Sequence, residues 1–276
     1  MKVKQILKWS GLIILLILLV LGLWQRQLVA YGWLQLQGQL KLVNEAIPLE
    51  EFVALESTTA EEKEKINVIL EAKAFAFENL GINYSENYSK IFDQKGKPSM
   101  FVVTACRPYA FQPRMWKFPV VGSVPYKGFF DLEKAREEAR SVESEGNWEV
   151  DIRTAGGWST LGWFKDPVLS NMLNRSEGDL ASLIIHELTH GTLFVKDSVT
   201  FNENLASFIG DRGAILFLEK KYGKSSVEVK QFKDGLADES LFKQYMLDAA
   251  QFLDSTYQAN SAASVELKEK AKEQAL

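Results

Sequence analysis

The sequence predicts an α+β fold: a mostly helical domain with a small mixed β-sheet, preceded by an N-terminal transmembrane helix. Three observations predict it. Amphipathic runs with helix start and stop signals recur along most of the chain. Three short segments rich in β-branched and aromatic residues, bounded by proline and glycine, cluster in its middle third. An uncharged apolar run, Trp9 to Trp24, stands ahead of both.

The apolar run is 16 residues long, slightly short of the ~20 that span a bilayer as a helix. Trp9 and Trp24 stand where interfacial aromatics belong, and Lys8 and Arg26 can snorkel. A cleaved signal peptide is the competing reading, but no A-x-A-like site follows the run. Lys2, Lys4 and Lys8 precede it, which places the N-terminus in the cytoplasm and the remainder in a periplasm or outside the cell. Residues 1–27 are thus expected to anchor the chain to a membrane, 28–260 to form the main domain and 261–276 a polar helical tail. The only cysteine, Cys106, is far from the apolar run, so no lipid attaches there and no intrachain disulfide forms.

The apolar fraction of 46 % and the charged fraction of 25 % suit a globular core. Beyond the anchor, 28 basic residues face 36 acidic ones, a net charge of −8. That excludes a nucleic-acid partner. No glycine-rich phosphate loop precedes a helix.

Elements follow in order. Residues 27–43 keep helical spacing and continue from the anchor. Pro48 opens the short helix "PLEEFVAL". A long helix starts at a capping box of Thr59 and Glu62 and stops at Gly81. "SMFVVTAC", "KFPVVGSV" and "WEVDIRTA" read as strands, with the surface helix "DLEKAREEARSVESEG" between the last two. "GGWSTLGWFKDP" leads into a short helix, "VLSNML". The next helix is capped near Ser176–Asp179, and another begins near Thr200–Asn202. From about Ser226 onward the pattern is helical and increasingly polar.

Both histidines of the chain fall in one stretch, "HELTH". On a helix, His186 and His190 lie nearly above one another, so both imidazoles can reach one metal ion. Glu187 projects from a neighbouring angle, where a carboxylate can take a proton from water. Zinc accepts nitrogen and carboxylate donors and, in catalytic sites, keeps one position open. One zinc ion per chain is expected, although cobalt or manganese suits the same donors. With no histidine left, the third donor must be acidic or a thiolate. Glu203 in "FNENLASF" is favoured, Asp197 and Asp211 are alternatives, and Glu203 also suits a capping box with Thr200.

HELTH followed by N-E-x-x-A-S-F resembles the gluzincin metallopeptidases, and its second part is especially similar to gluzincin aminopeptidases. The resemblance implies a zincin-like domain over 28–260, with His186, His190 and Glu203 as zinc ligands and Glu187 as general base. The segments "YGWLQLQGQL", "FPVVGSVPYKGFF", "STLGWFKDPVLSNML", HELTH and "VKDSVTFNENLASFIGDRG" are similar, in the same order, to a bacterial family described as "putative aminopeptidase", over roughly residues 27 to 260. Two departures stand out. His190 and Glu203 are 13 residues apart, closer than in large gluzincins, and Ser207 stands where thermolysin-like enzymes carry an aspartate that supports a histidine. Support for the ligands is therefore expected from elsewhere.

The expected function is a zinc-dependent peptidase, an aminopeptidase by resemblance, acting on peptide or protein substrates outside the cytoplasm. The alternatives are an inactive zinc-binding envelope scaffold and a zinc hydrolase acting on a different bond. Substrate is expected to add as a strand beside Gly157, Ser159, Thr160 and Leu161, whose sequence context permits close backbone approach. Tyr126, Arg212 and Tyr257 are the candidates for stabilising a developing oxyanion.

Overall fold

The computed structural model describes residues 9, 25–118, 122–154, 165–196 and 198–275. The chain divides into two units, Met1–Asn44 and Glu45–Leu276. Helix α1, Arg26–Glu45, accounts for nearly all of the first unit's described residues. Among the described residues no helix is long and apolar enough to cross a membrane. Helix α1 carries Arg26, Lys41, Glu45 and four glutamines, groups that are costly in hydrocarbon. This overturns the expected transmembrane helix and the membrane-anchored localisation built on it. The run Trp9–Trp24 itself, apart from Trp9, lies outside the described residues.

Helices account for 62 % of the described residues, so a helical pack sets the frame. In the second unit α2 (Leu49–Ala54) and α3 (Ala60–Asn79) come first. Thr59 and Glu62 form the expected reciprocal capping box at the start of α3. Its end comes just before Gly81, at φ +69°, in the left-handed region that glycine enters without strain. Helix α4 (Leu132–Glu143) covers strands, and α5 (Glu177–Thr192), α6 (Val199–Tyr222), α7 (Val227–Ala259) and α8 (Val265–Ala275) complete the set.

The strands form three small sheets instead of one. β1 (Ile47–Pro48) pairs antiparallel with β2 (Lys90–Phe92), which pairs in parallel with β8 (Val168–Leu169). β3 (Phe101–Cys106) is the centre of an antiparallel trio, flanked by β6 (Tyr126–Phe129) and β7 (Glu149–Thr154). β4 (Trp116–Phe118) and β5 (Gly122–Val124) pair antiparallel, so "KFPVVGSV" contributes to two strands rather than one. "VLSNML" begins as β8 and continues as a 3₁₀ turn, Ser170–Asn174.

The core lies where α3, α5 and α6 meet. Ile66, Ile69, Ala72, Leu180, Ile184, Ile185 and Leu218 have no accessible surface. Each large member contributes about 1.5–3 kcal/mol by its burial. Phe75 and Phe217 meet edge to face at 5.8 Å. Two glycines let α6 approach α5 closely. A Cβ on Gly210 would stand 2.8 Å from the Ser182 carbonyl oxygen and 3.2 Å from His186 Cβ. On Gly213 it would stand 2.8 Å from Leu80 Cδ1 and 3.1 Å from Ile185.

Lys73 of α3 is buried beneath a tight turn. Its ammonium donates to the Asn87 carbonyl at 2.5 Å and to Ser89 Oγ at 2.8 Å. Between them sits Tyr88, at φ 58°. Burial lowers the Lys73 pKa from 10.5 to about 8, against the opposing pull of Glu50 and Glu86.

Gly210→Ala should cost about 1–3 kcal/mol of stability, since the opposing atom is backbone and does not step aside; denaturant unfolding measures it. Between pH 8 and 10.5 the folded protein holds fewer protons at Lys73 than the unfolded chain, so this residue's contribution to stability rises with pH across that window. The stability of wild type relative to Lys73→Met should therefore climb from pH 8 to 10.5. A flat or falling difference would contradict the burial.

Candidate metal centre

Helix α5 is capped by Ser176, whose hydroxyl accepts the Asp179 N–H. Its apolar side, Leu180, Ile184, Ile185 and Leu188, is buried. Burying that side turns His186 and His190 toward α6, where Glu203 is one turn in from the helix start. His186 Nε2 and His190 Nε2 are 3.1 Å apart. Glu203 Oε2 is 3.5 Å from His186 Nε2, and Oε1 is 3.5 Å from His190 Nε2. These three residues form a group that can hold a metal ion.

The triangle fits one small cation. Donors at zinc-ligand distance and tetrahedral angles stand about 3.3 Å apart. The burial is asymmetric: the His190 side chain is 5 % exposed, His186 19 % and Glu203 56 %. The group is therefore closed on the histidine side and open to solvent on the carboxylate side.

Electrostatics suit ligation. Burial, and then the neighbouring His190, lower the His186 pKa, while Glu203 and Asp211 pull the other way. The net downward shift keeps its imidazole neutral, the form that donates to a metal. Ser207 Oγ lies 3.4 Å from His186 Nδ1, so a serine hydroxyl stands beside this ring. An Nδ1–H aimed at Ser207 leaves the Nε2 lone pair for the ion. His190 Nδ1, by contrast, is buried with no hydrogen-bond partner among the described residues.

The Glu203 carboxylate is not spent on a helix cap. α6 starts at Val199, and Ser198 at its N-cap makes no side-chain capping bond. Asp211, one alternative third donor, accepts a hydrogen bond from Ser182 Oγ at 2.8 Å. Asp197, the other, lies outside the described residues, as do Gly157, Ser159, Thr160 and Leu161. Glu187, between the two histidines, is partly buried.

The oxyanion candidates stand in three places. Tyr126 opens β6, opposite Thr104. Tyr257 packs against Tyr109 and Phe111, with ring centroids 6.0 and 6.2 Å away. Arg212 is nine residues past Glu203, hence on the opposite side of α6. It lines a cavity of about 470 Å³ between α6 and α7, together with Phe208, Asp211, Lys233, Leu236 and Glu239. None of the contacts described for these three residues involves His186, His190 or Glu203.

Sequence reasoning missed Tyr88. It is 1 % exposed, and its N–H donates to the Asp166 carbonyl at 2.7 Å. Its phenol pKa is raised, first by burial and then by the charges of Glu187 and Asp166. A protonated phenol thus sits in the field of the Glu187 carboxylate. "NYSENYSKIF" carries no local signal for this, because the neighbours that bury it come from distant parts of the chain.

Comparison with known proteins comes to one positive result. The family described as "Putative aminopeptidase" matches residues 30–276. No curated protein and no solved structure matches the chain. Since the match covers nearly the whole sequence, the chain belongs to this family, and that membership supports a peptidase function.

Proposed function

We propose that the protein is a zinc-dependent peptidase of gluzincin type and, within its family, an aminopeptidase. The observation that carries this reading is the convergence of His186, His190 and Glu203 on one point, with Glu187 on the same helix turn. His186 and His190 would hold the ion through Nε2, and Glu203 through its carboxylate oxygens. A zinc ion, when bound, supplies the Lewis acidity that polarises the scissile carbonyl and makes water a stronger acid.

The remaining chemistry belongs to the chain. Glu187 takes a proton on its carboxylate from the attacking water. The water oxygen bonds to the peptide carbonyl carbon, the C–N bond breaks, and the leaving nitrogen receives the proton that Glu187 held. Ser207 fixes the His186 ring through Nδ1 and so keeps Nε2 directed at the ion. The opening beside Glu203 favours catalysis over a purely structural zinc, which is ordinarily enclosed by four protein donors.

Glu187→Gln keeps the size and partial burial of the side chain while removing its basicity. Hydrolysis of a peptide panel should fall by about 10²–10⁴-fold, while metal analysis still finds one zinc per chain. Undiminished turnover would remove Glu187 from the mechanism. Bound zinc in a wild type with no turnover on any peptide would favour the scaffold reading. A second panel of matched peptides separates aminopeptidase from endopeptidase: free-amine substrates should be cleaved and their N-acetylated forms spared.

A further inference from the structure

Asn202 directly precedes Glu203 and is 2 % exposed. Its carboxamide makes two hydrogen bonds to a single residue of the loop that joins α5 to α6. Oδ1 accepts the Val195 N–H at 2.8 Å, and Nδ2 donates to the Val195 carbonyl at 2.8 Å. The pairing reproduces, with a side chain, the two-bond exchange of an antiparallel strand pair. Val195 O also accepts Ser198 N–H at 3.3 Å, and Asn202 N–H donates to Ser198 O at 3.0 Å.

Among the described residues, apolar packing holds this segment only weakly. Leu193, Phe194, Val195, Val199 and Phe201 are all 40–67 % exposed, so apolar packing contributes little there. The N-cap residue Ser198 supplies no side-chain bond. The close contact at Gly210 is seven residues beyond Glu203, about two helical turns away. It fixes the axis of α6 but not its first turns, where helices fray. Glu203 is the fifth residue of that helix.

We propose that Asn202 is a positioning residue for the metal centre: by clamping Val195 it closes the loop onto α6 and holds the Glu203 carboxylate opposite the two histidines before an ion arrives. The inference rests on the reading of His186, His190 and Glu203 as a metal site. Without the clamp, the first turns of α6 must be ordered by the ion itself, and that entropy cost appears as weaker binding.

The test uses the full chain and zinc alone. Zinc affinity is measured by competition with a chromophoric chelator for wild type, Asn202→Ala and Gln94→Ala. Gln94 is a comparable buried clamp elsewhere, 6 % exposed and bonded to Ser99 and Asn171. Asn202→Ala should bind zinc about 10–100-fold more weakly, and Gln94→Ala as tightly as wild type, even where both lower the melting temperature. Hydrogen exchange on the metal-free proteins supplies a readout independent of binding. The Val195 amide should be protected in wild type and lose that protection in Asn202→Ala.

Equal zinc affinity in wild type and Asn202→Ala would overturn the proposal while leaving the metal site intact. So would an unprotected Val195 amide in metal-free wild type, a result that stands even if the variant does not fold. A wild type that binds no zinc would overturn the metal reading itself, and this role with it.

Discussion

The centre depends on how closely two helices approach. A carboxylate on α6 meets two imidazoles on α5 only because the backbones come together where Gly210 faces Ser182 and His186, and Gly213 faces Ile185. A methyl group at position 210 would sit 2.8 Å from a carbonyl oxygen, inside the distance that packed atoms tolerate. The buried sides of α3, α5 and α6 hold the pair together. Hydrophobic burial supplies the driving force, and the missing Cβ atoms set the distance at which it acts. The same packing desolvates His186 and His190, and desolvation keeps the His186 imidazole uncharged. One arrangement thus governs both the geometry of the group and the protonation of His186.

Much of this was legible in the sequence wherever the signal was local. Thr59 with Glu62, Ser176 with Asp179, and Gly81 mark helix ends through bonds that span only a few residues. HELTH places two imidazoles on one side of any helix it forms. Local signals did less well where pairing is long-range. Ile47, Ile91 and Val168 join one sheet from three distant parts of the chain, each in a strand of two or three residues, too short to show an alternation. Tyr88 is hidden from sequence reasoning for the same reason.

Glu203 illustrates a different limit. Its spacing from Thr200 suits a helix cap and its spacing from His190 suits a ligand, and nothing in the residues alone decides between them. Where α6 begins removes the cap and leaves the carboxylate grouped with the two histidines. Starting at Val199 with Ser198 ahead of it, the helix carries Glu203 past the capping position and toward α5. Ser207 shows the converse. In the sequence it is a departure from the thermolysin-like pattern, yet its hydroxyl lies 3.4 Å from His186 Nδ1. The apolar N-terminal run was legible as composition, but no helix among the described residues is long and apolar enough to cross a membrane.

The three residues of the candidate metal group, and Glu187 with them in sequence, lie between positions 186 and 203. A single helical hairpin therefore contains the whole set, and its connecting segment is short. Closing so short a segment costs little chain entropy, and contacts of low sequence separation form early. In folding terms, the donors can come together as soon as α5 and α6 dock, without waiting for strands such as Ile47–Pro48 and Val168–Leu169 to find each other across the chain.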